Sequence, residues 1–145
     1  MANETRLQRE TRQALTDEFG GFCRKIWVGE FQAAGMLDII FVCCGLFFNF
    51  ETKDPTGNHP VSDLQKLEIK QVIEDGEGVA AVIEYKEQAC KIVRDTLRAR
   101  GLLQHAHARA KARSRLVDPK TKTKRRRWFV LETRNGKNTH RVRRT

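Results

Sequence analysis

The chain has 145 residues, room for one domain with a single core and little more than an appendage. Hydrophobic residues make up 39% and charged residues 32%, and the most apolar stretch, residues 39–48, is too short to cross a bilayer, which argues against a membrane protein. The formal net charge of +10 points to a polyanionic partner. That charge is unevenly placed: residues 1–100 hold 13 Lys/Arg against 16 Asp/Glu, net −3, and residues 101–145 hold 15 against 2, net +13. The chain therefore reads as a slightly acidic domain, 1–100, followed by a basic arm, 101–145.

Residues 4–19 favour a helix, with Leu7, Thr11, Ala14, Leu15 and Phe19 on one stripe, ended by Gly20–Gly21. Residues 22–28 read as a first strand, and 29–35 as a loop. Residues 37–44 form a nearly continuous apolar run, as expected of a strand covered on both faces. Gly45 turns the chain into a third strand, 46–53, so that the two form a hairpin. Ser62 is an expected N-cap, with Gln65 completing a capping box, and the helix to Asp75 is expected to bury Leu64, Ile69, Val72 and Ile73. Gly76 and Gly78 stop it. A strand over 79–85 and an amphipathic helix over 87–100 follow, the helix with Ala89, Ile92, Val93, Thr96 and Leu97 inward. The order implies an α/β fold, one sheet packed by helices.

Beyond Gly101, residues 104–115 extend as a basic helix, and Asp118–Pro119 breaks it. Residues 126–134 and 137–144 flank Asn135–Gly136, a strong hairpin signal. The four cysteines, Cys23, Cys43, Cys44 and Cys90, lack zinc spacing and read as small buried apolar residues of a reducing compartment. His105 and His107, two apart, do not share a helical face and suggest no metal site. The polar, charged N-terminus shows no signal peptide, so a soluble cytoplasmic protein is expected.

The informative stretch runs from Asp38 to Glu51–Thr52–Lys53. Strand alternation puts Asn49, Glu51 and Lys53 on one face, and a hairpin about Gly45 puts Asp38 beside them. Two carboxylates with the Thr52 backbone carbonyl form a hard-oxygen site suited to Mg²⁺. Lys53 beside them would hold a water or offset charge building on a phosphate.

Here the chain resembles the PD-(D/E)XK nuclease superfamily, whose D-x(12)-E-x-K spacing it carries, and within it the VRR-Nuc (virus-type replication-repair nuclease) branch. That branch combines a Glu on the first helix, a K-x(3)-G segment, Q-x-x-G-x-P-D before a hydrophobic strand, E-x-K, a Gly-bearing loop and a Gln early in the next helix. This chain supplies Glu4, Lys25 with Gly29, Gln32 with Gly35 and Asp38, Glu51 with Lys53, Gly57 and Gln65, over roughly residues 4–85. Leu37 stands where the branch has Pro, which bears on loop shape and not on a ligand.

The resemblance implies a restriction-endonuclease-like αβββαβ core, a mixed sheet flanked by helices, with a basic C-terminal extension. It implies a Mg²⁺- or Mn²⁺-dependent endonuclease acting on structured or branched DNA, such as junctions or flaps, in phage-type replication, recombination or repair. Its cytoplasm would be the host cell's if the chain is phage-encoded. Asp38, Glu51, Lys53 and Gln65 would be catalytic, and Asp38, Glu51, Thr52 and Glu4 would hold the metal, with Glu10 the substitute for Glu4 if the helix register differs. Members of this kind often work as homodimers, which the sequence does not itself show. Gln65 has a second reading as the partner of Ser62, and Lys25 reads equally as a phosphate contact or a surface lysine. Arg109, Lys111, Arg113, Lys124, Arg125, Arg126, Arg127, Arg141 and Arg143 are the expected phosphate contacts of the arm. Trp128, Phe129 and His140 would stack on bases or pack the hairpin. The alternative is a non-catalytic nucleic-acid-binding protein using the same fold and arm.

Overall fold

In the structure, a computed structural model, residues 2–27, 35–57, 60–116, 130–134 and 137–141 are described. The elements are α1 (Ala2–Phe19), β1 (Phe22–Lys25), β2 (Ile39–Cys43), β3 (Leu46–Thr52), α2 (Asp63–Glu74), β4 (Val79–Ile83), α3 (Lys86–Ala99), α4 (Leu103–Leu116), β5 (Val130–Arg134) and β6 (Lys137–Arg141). The expected helix, three strands, helix, strand, helix order is present. The chain divides into two compact units, Met1–Arg115 and Leu116–Thr145.

In the first unit the sheet order is β1-β2-β3-β4. Its first three strands are antiparallel, while β4 runs parallel to β3 after the α2 crossover. The β2–β3 turn is the two residues Cys44 and Gly45, both left-handed at φ 52° and 81°. A turn with two positive φ values matches the twist of the strands it joins and fixes their pairing. The pairing runs from Cys43↔Leu46 to Ile39↔Phe50. One step further brings Asp38 opposite Glu51, as the spacing predicts.

Phe48 and Phe50 point to a core shared with Ile39, Phe41 and Ile83 of the sheet, Leu15 and Phe19 of α1, Val93 and Leu97 of α3, and Ala106 of α4. The helix after Gly101 is thus seated on the domain through Ala106 and Ala110. At the end of α1, Gly20 adopts φ 67° and donates its N–H to the Thr16 carbonyl at 2.9 Å, a left-handed cap.

Three expectations need correction. β2 is not covered on both faces: Ile39, Phe41 and Cys43 are buried, but Ile40 and Val42 are only half-buried. The first strand ends at Lys25, with one further bond in the same register from the Ile26 N–H to the Asp38 carbonyl at 2.7 Å. Helix α2 buries none of its residues, and Leu64, Leu67 and Ile73 are about half exposed. Its half-buried strip is Gln65, Glu68, Ile69 and Val72. That strip has helical spacing, but it begins polar because it faces Glu51 at one end and Phe47 with Gly78 at the other. Ile69 and Val72 therefore face the sheet as expected, while Leu64 and Ile73 flank the strip. On α3 the buried residues are Ala89, Cys90, Val93 and Leu97.

Of the cysteines, Cys43 and Cys90 are buried, Cys23 and Cys44 half-buried, and all are free thiols. Burial pushes the Cys43 thiol up to about 12 and that of Cys90 to about 11, so both stay protonated. His107 stacks on Phe19 at 5.9 Å and belongs to the core packing. In the second unit β5 and β6 pair antiparallel, Val130↔Arg141 to Arg134↔Lys137. Lys124, Arg125, Arg126, Arg127, Trp128, Phe129 and Arg143 lie outside the described residues, as do Gly29 and Gln32.

Candidate active site

Glu51 projects from the last turns of the β3 pleat toward α2, and Asp38 stands just before β2 at the same end of the sheet. The first turn of α1 brings Glu4 to them, and one carboxylate oxygen from each of Glu4, Asp38 and Glu51 lies within 4.8 Å of the others. Glu10 is elsewhere, 3.8 Å from Arg6 and 3.9 Å from Lys86, which settles the register of α1 in favour of Glu4.

Asp38 and Glu51 are each held through one carboxylate oxygen. The Oδ2 of Asp38 accepts from the Thr52 N–H at 2.9 Å and from the Thr52 hydroxyl. That hydroxyl in turn accepts from Nε2 of Gln8 at 3.1 Å, so α1 and β3 jointly orient Asp38. Glu51 is 2% exposed. Its Oε1 accepts from Lys53 Nζ at 2.7 Å and from Gln65 Nε2 at 2.6 Å. Its Oε2 is buried with no hydrogen-bond partner among the described residues. Burial pushes the Glu51 carboxyl up; the Lys53 hydrogen bond opposes this and the charge of Asp38 adds to it.

Gln65 both closes the capping box and reaches Glu51. Its Oε1 accepts from the Ser62 N–H at 3.0 Å, and Ser62 Oγ accepts from the Gln65 N–H at 3.2 Å, which closes the capping box. The same Oε1 lies 3.4 Å from Lys53 Nζ while Nε2 reaches Glu51. One amide therefore ties the α2 N-terminus to the carboxylate–lysine pair. Thr52 also carries more than expected. The Lys53 N–H donates to the Ile83 carbonyl at 2.9 Å, toward β4. In a trans peptide the Thr52 carbonyl then points the opposite way, to the Asp38 side.

Sequence reading missed Gln8 and the Thr52 side chain. Gln8 lies one helical turn from Glu4, so i, i+4 spacing was the available signal. Lys25 is not in the cluster; its Nζ sits 4.2 Å over the Trp27 ring, at the Asp38 end of β1. Arg109, Lys111 and Arg113 are exposed on α4. Arg109 and Arg113 line a cleft at the β2–β3 turn, the opposite end of the sheet.

Three carboxylates this close repel one another, and an orphaned, buried carboxylate oxygen is costly unless something accepts its charge. A hard divalent cation fits this all-oxygen donor set, drawn from Glu4, Asp38, Glu51 and the Thr52 carbonyl.

No family model matches the chain. No curated protein matches it in sequence. Among solved structures, one described as "VRR_NUC domain" superposes with a TM-score of 0.51 at 22% identity, covering 63% of this chain and 95% of that one. The αβββαβ arrangement that carries Asp38, Glu51 and Lys53 is thus the restriction-endonuclease-like fold of that VRR_NUC domain.

Proposed function

We propose that the protein is a metal-dependent nuclease that hydrolyses DNA phosphodiester bonds. The observation that carries this is the convergence of Glu4, Asp38 and Glu51, the last with one buried oxygen unpartnered among the described residues and Lys53 adjoining. The fold it shares with a VRR_NUC domain supports the same reading. Glu4, Asp38, Glu51 and the Thr52 carbonyl would hold Mg²⁺ or Mn²⁺. Bound there, the cation supplies neutralising charge for a phosphate and acidifies water.

The remaining work falls to side chains. Lys53, 2.7 Å from Glu51, would offset charge as it builds on the scissile phosphate. Gln65 holds Glu51 and Lys53 in register, a positioning role. Gln8 and Thr52 fix the rotamer of Asp38. The basic residues 101–145 grip the DNA backbone without reading bases, and residues 1–100 carry the cutting residues. The family resemblance points to junctions or flaps as substrates, to phage-type replication, recombination or repair, and to a homodimer for a symmetric junction.

Labelled junction, flap and linear DNA, incubated with the protein, test this. Cleavage is expected with Mg²⁺ or Mn²⁺, to fall to background in excess EDTA, and to return when the metal is restored. Tight binding without cleavage in any divalent metal would leave a DNA-binding protein and overturn the enzyme reading.

A further inference from the structure

A cleft of about 580 Å³ opens where α1, β1, the β2–β3 turn and α4 meet. Its lining includes Arg12, Arg24, Arg109 and Arg113, and among the described residues no carboxylate. Three separate elements thus bring four guanidinium groups together, and none of the four forms a salt bridge with a described residue. Like charges gathered without a counter-charge destabilise a fold, so the cluster requires an anionic partner to be favourable.

Two details make it a formed site. The Nε of Arg12 is buried with no acceptor among the described residues, its side chain lying beside the Cys23 thiol. Arg113 is already ordered, with Nη1 3.2 Å from the Gly21 carbonyl and 3.5 Å from that of Gly20. Gly20 permits this arrangement, because a Cβ there would stand 2.8 Å from the Ala110 Cα and push α4 away. Planar guanidinium forks match phosphate oxygens in pairs, better than they match a single point charge.

The geometry points to this cleft as a second phosphate-binding site, which grips the DNA backbone remote from the acidic cluster. The proposal rests on the nuclease reading for its partner, DNA, but not for any cleavage. The seven residues of β3 separate the two ends of the sheet, roughly 20 Å at about 3.3 Å per residue. That is about six base steps of duplex at roughly 3.4 Å each. A smaller recess lined by Arg9 and Arg12 adjoins the cleft and carries the basic surface along α1 in the direction of Glu4. A continuous track suits a polyanion better than a lone phosphate.

The test uses the full chain, a 20-base-pair duplex and no divalent metal. Arg24→Gln/Arg109→Gln removes two exposed cleft charges, and Lys91→Gln/Arg98→Gln removes two exposed charges on α3. The cleft variant is expected to bind about tenfold more weakly and to lower the salt slope of log Kd by about two. The α3 variant should change both far less. Wild-type affinity and slope in the cleft variant, or an equal loss in the α3 variant, would overturn the proposal. In ¹⁵N spectra of the wild type, the duplex should shift the Arg12 Nε–H resonance. A shift with inorganic phosphate but none with the duplex would assign the cleft to a small anion and overturn the DNA site. Because no metal is present, binding as expected by a protein that cuts nothing would uphold the cleft and sink only the nuclease reading.

Discussion

Glu51→Gln is expected to lower DNA cleavage by about 10²–10³-fold or more, yet to make the metal-free protein more stable. The two signs come from one cause. Glu51 is buried among Asp38 and Glu4, with one oxygen unpartnered, so its charge is unfavourable until a cation arrives. Glutamine keeps the shape and the acceptor that Gln65 and Lys53 use, and removes the charge a metal needs. The pH dependence follows from the raised carboxyl pKa of Glu51. A group whose folded pKa lies above its unfolded value contributes stability that is full below the unfolded pKa and lost as pH rises through the folded one. The melting temperatures of wild type and variant should therefore converge below about pH 4.5, the ordinary value for Glu, and separate above it. Added Mg²⁺ should close the gap by stabilising the wild type alone. Thermal melts across pH, with and without metal, check this; a variant less stable than wild type at neutral pH without metal would contradict it. A structural ion pair would give that opposite sign, since removing one partner of a buried pair destabilises.

Gly20→Ala is expected to destabilise the protein by about 3 kcal/mol, and Gly45→Ala by only about 1 kcal/mol. Both glycines have left-handed φ, 67° and 81°, so both lose the same conformational freedom. They differ in surroundings. A Cβ at Gly45 meets nothing within 4 Å, whereas at Gly20 it meets the Ala110 Cα at 2.8 Å and N at 3.0 Å. Backbone cannot swing aside as a flexible side chain can, so α4 must shift and expose Ala106 and Phe19. Denaturant unfolding of the two variants gives the difference directly. Equal losses would mean that α4 is not seated on Gly20.

These residues also show what the sequence could and could not convey. The Asp38–Glu51–Lys53 juxtaposition was legible because it depends on local rules: strand alternation and a two-residue turn, which together leave one register. The capping box at Ser62 and Gln65 was legible for the same reason. The orientation of α2 was not. Its apolar residues suggested an inward Leu64 and Ile73, but the polar end of its strip answers to Glu51, a partner 14 positions away. Gly20 and Gly21 read simply as a helix stop; that Gly20 also seats α4, and that a Cβ on Gly21 would strike the Phe41 ring at 2.6 Å, are contacts made across the chain. Gln8 was legible only as sharing a helical face with Glu4, while its hydrogen bond to Thr52 is made across 44 positions. The basic cleft was visible in part, as Arg109 and Arg113, while Arg12 and Arg24 join them only through the fold.

In the proposed function Glu4, Asp38 and Glu51 form one metal site. Anomalous diffraction from crystals soaked in Mn²⁺ tests it most directly. The expected result is a peak bounded by these three side chains, about 2.1 Å from oxygens of Asp38 and Glu51, and absent from Glu51→Gln crystals. A peak elsewhere, or none at Mn²⁺ concentrations that support cleavage, would contradict it.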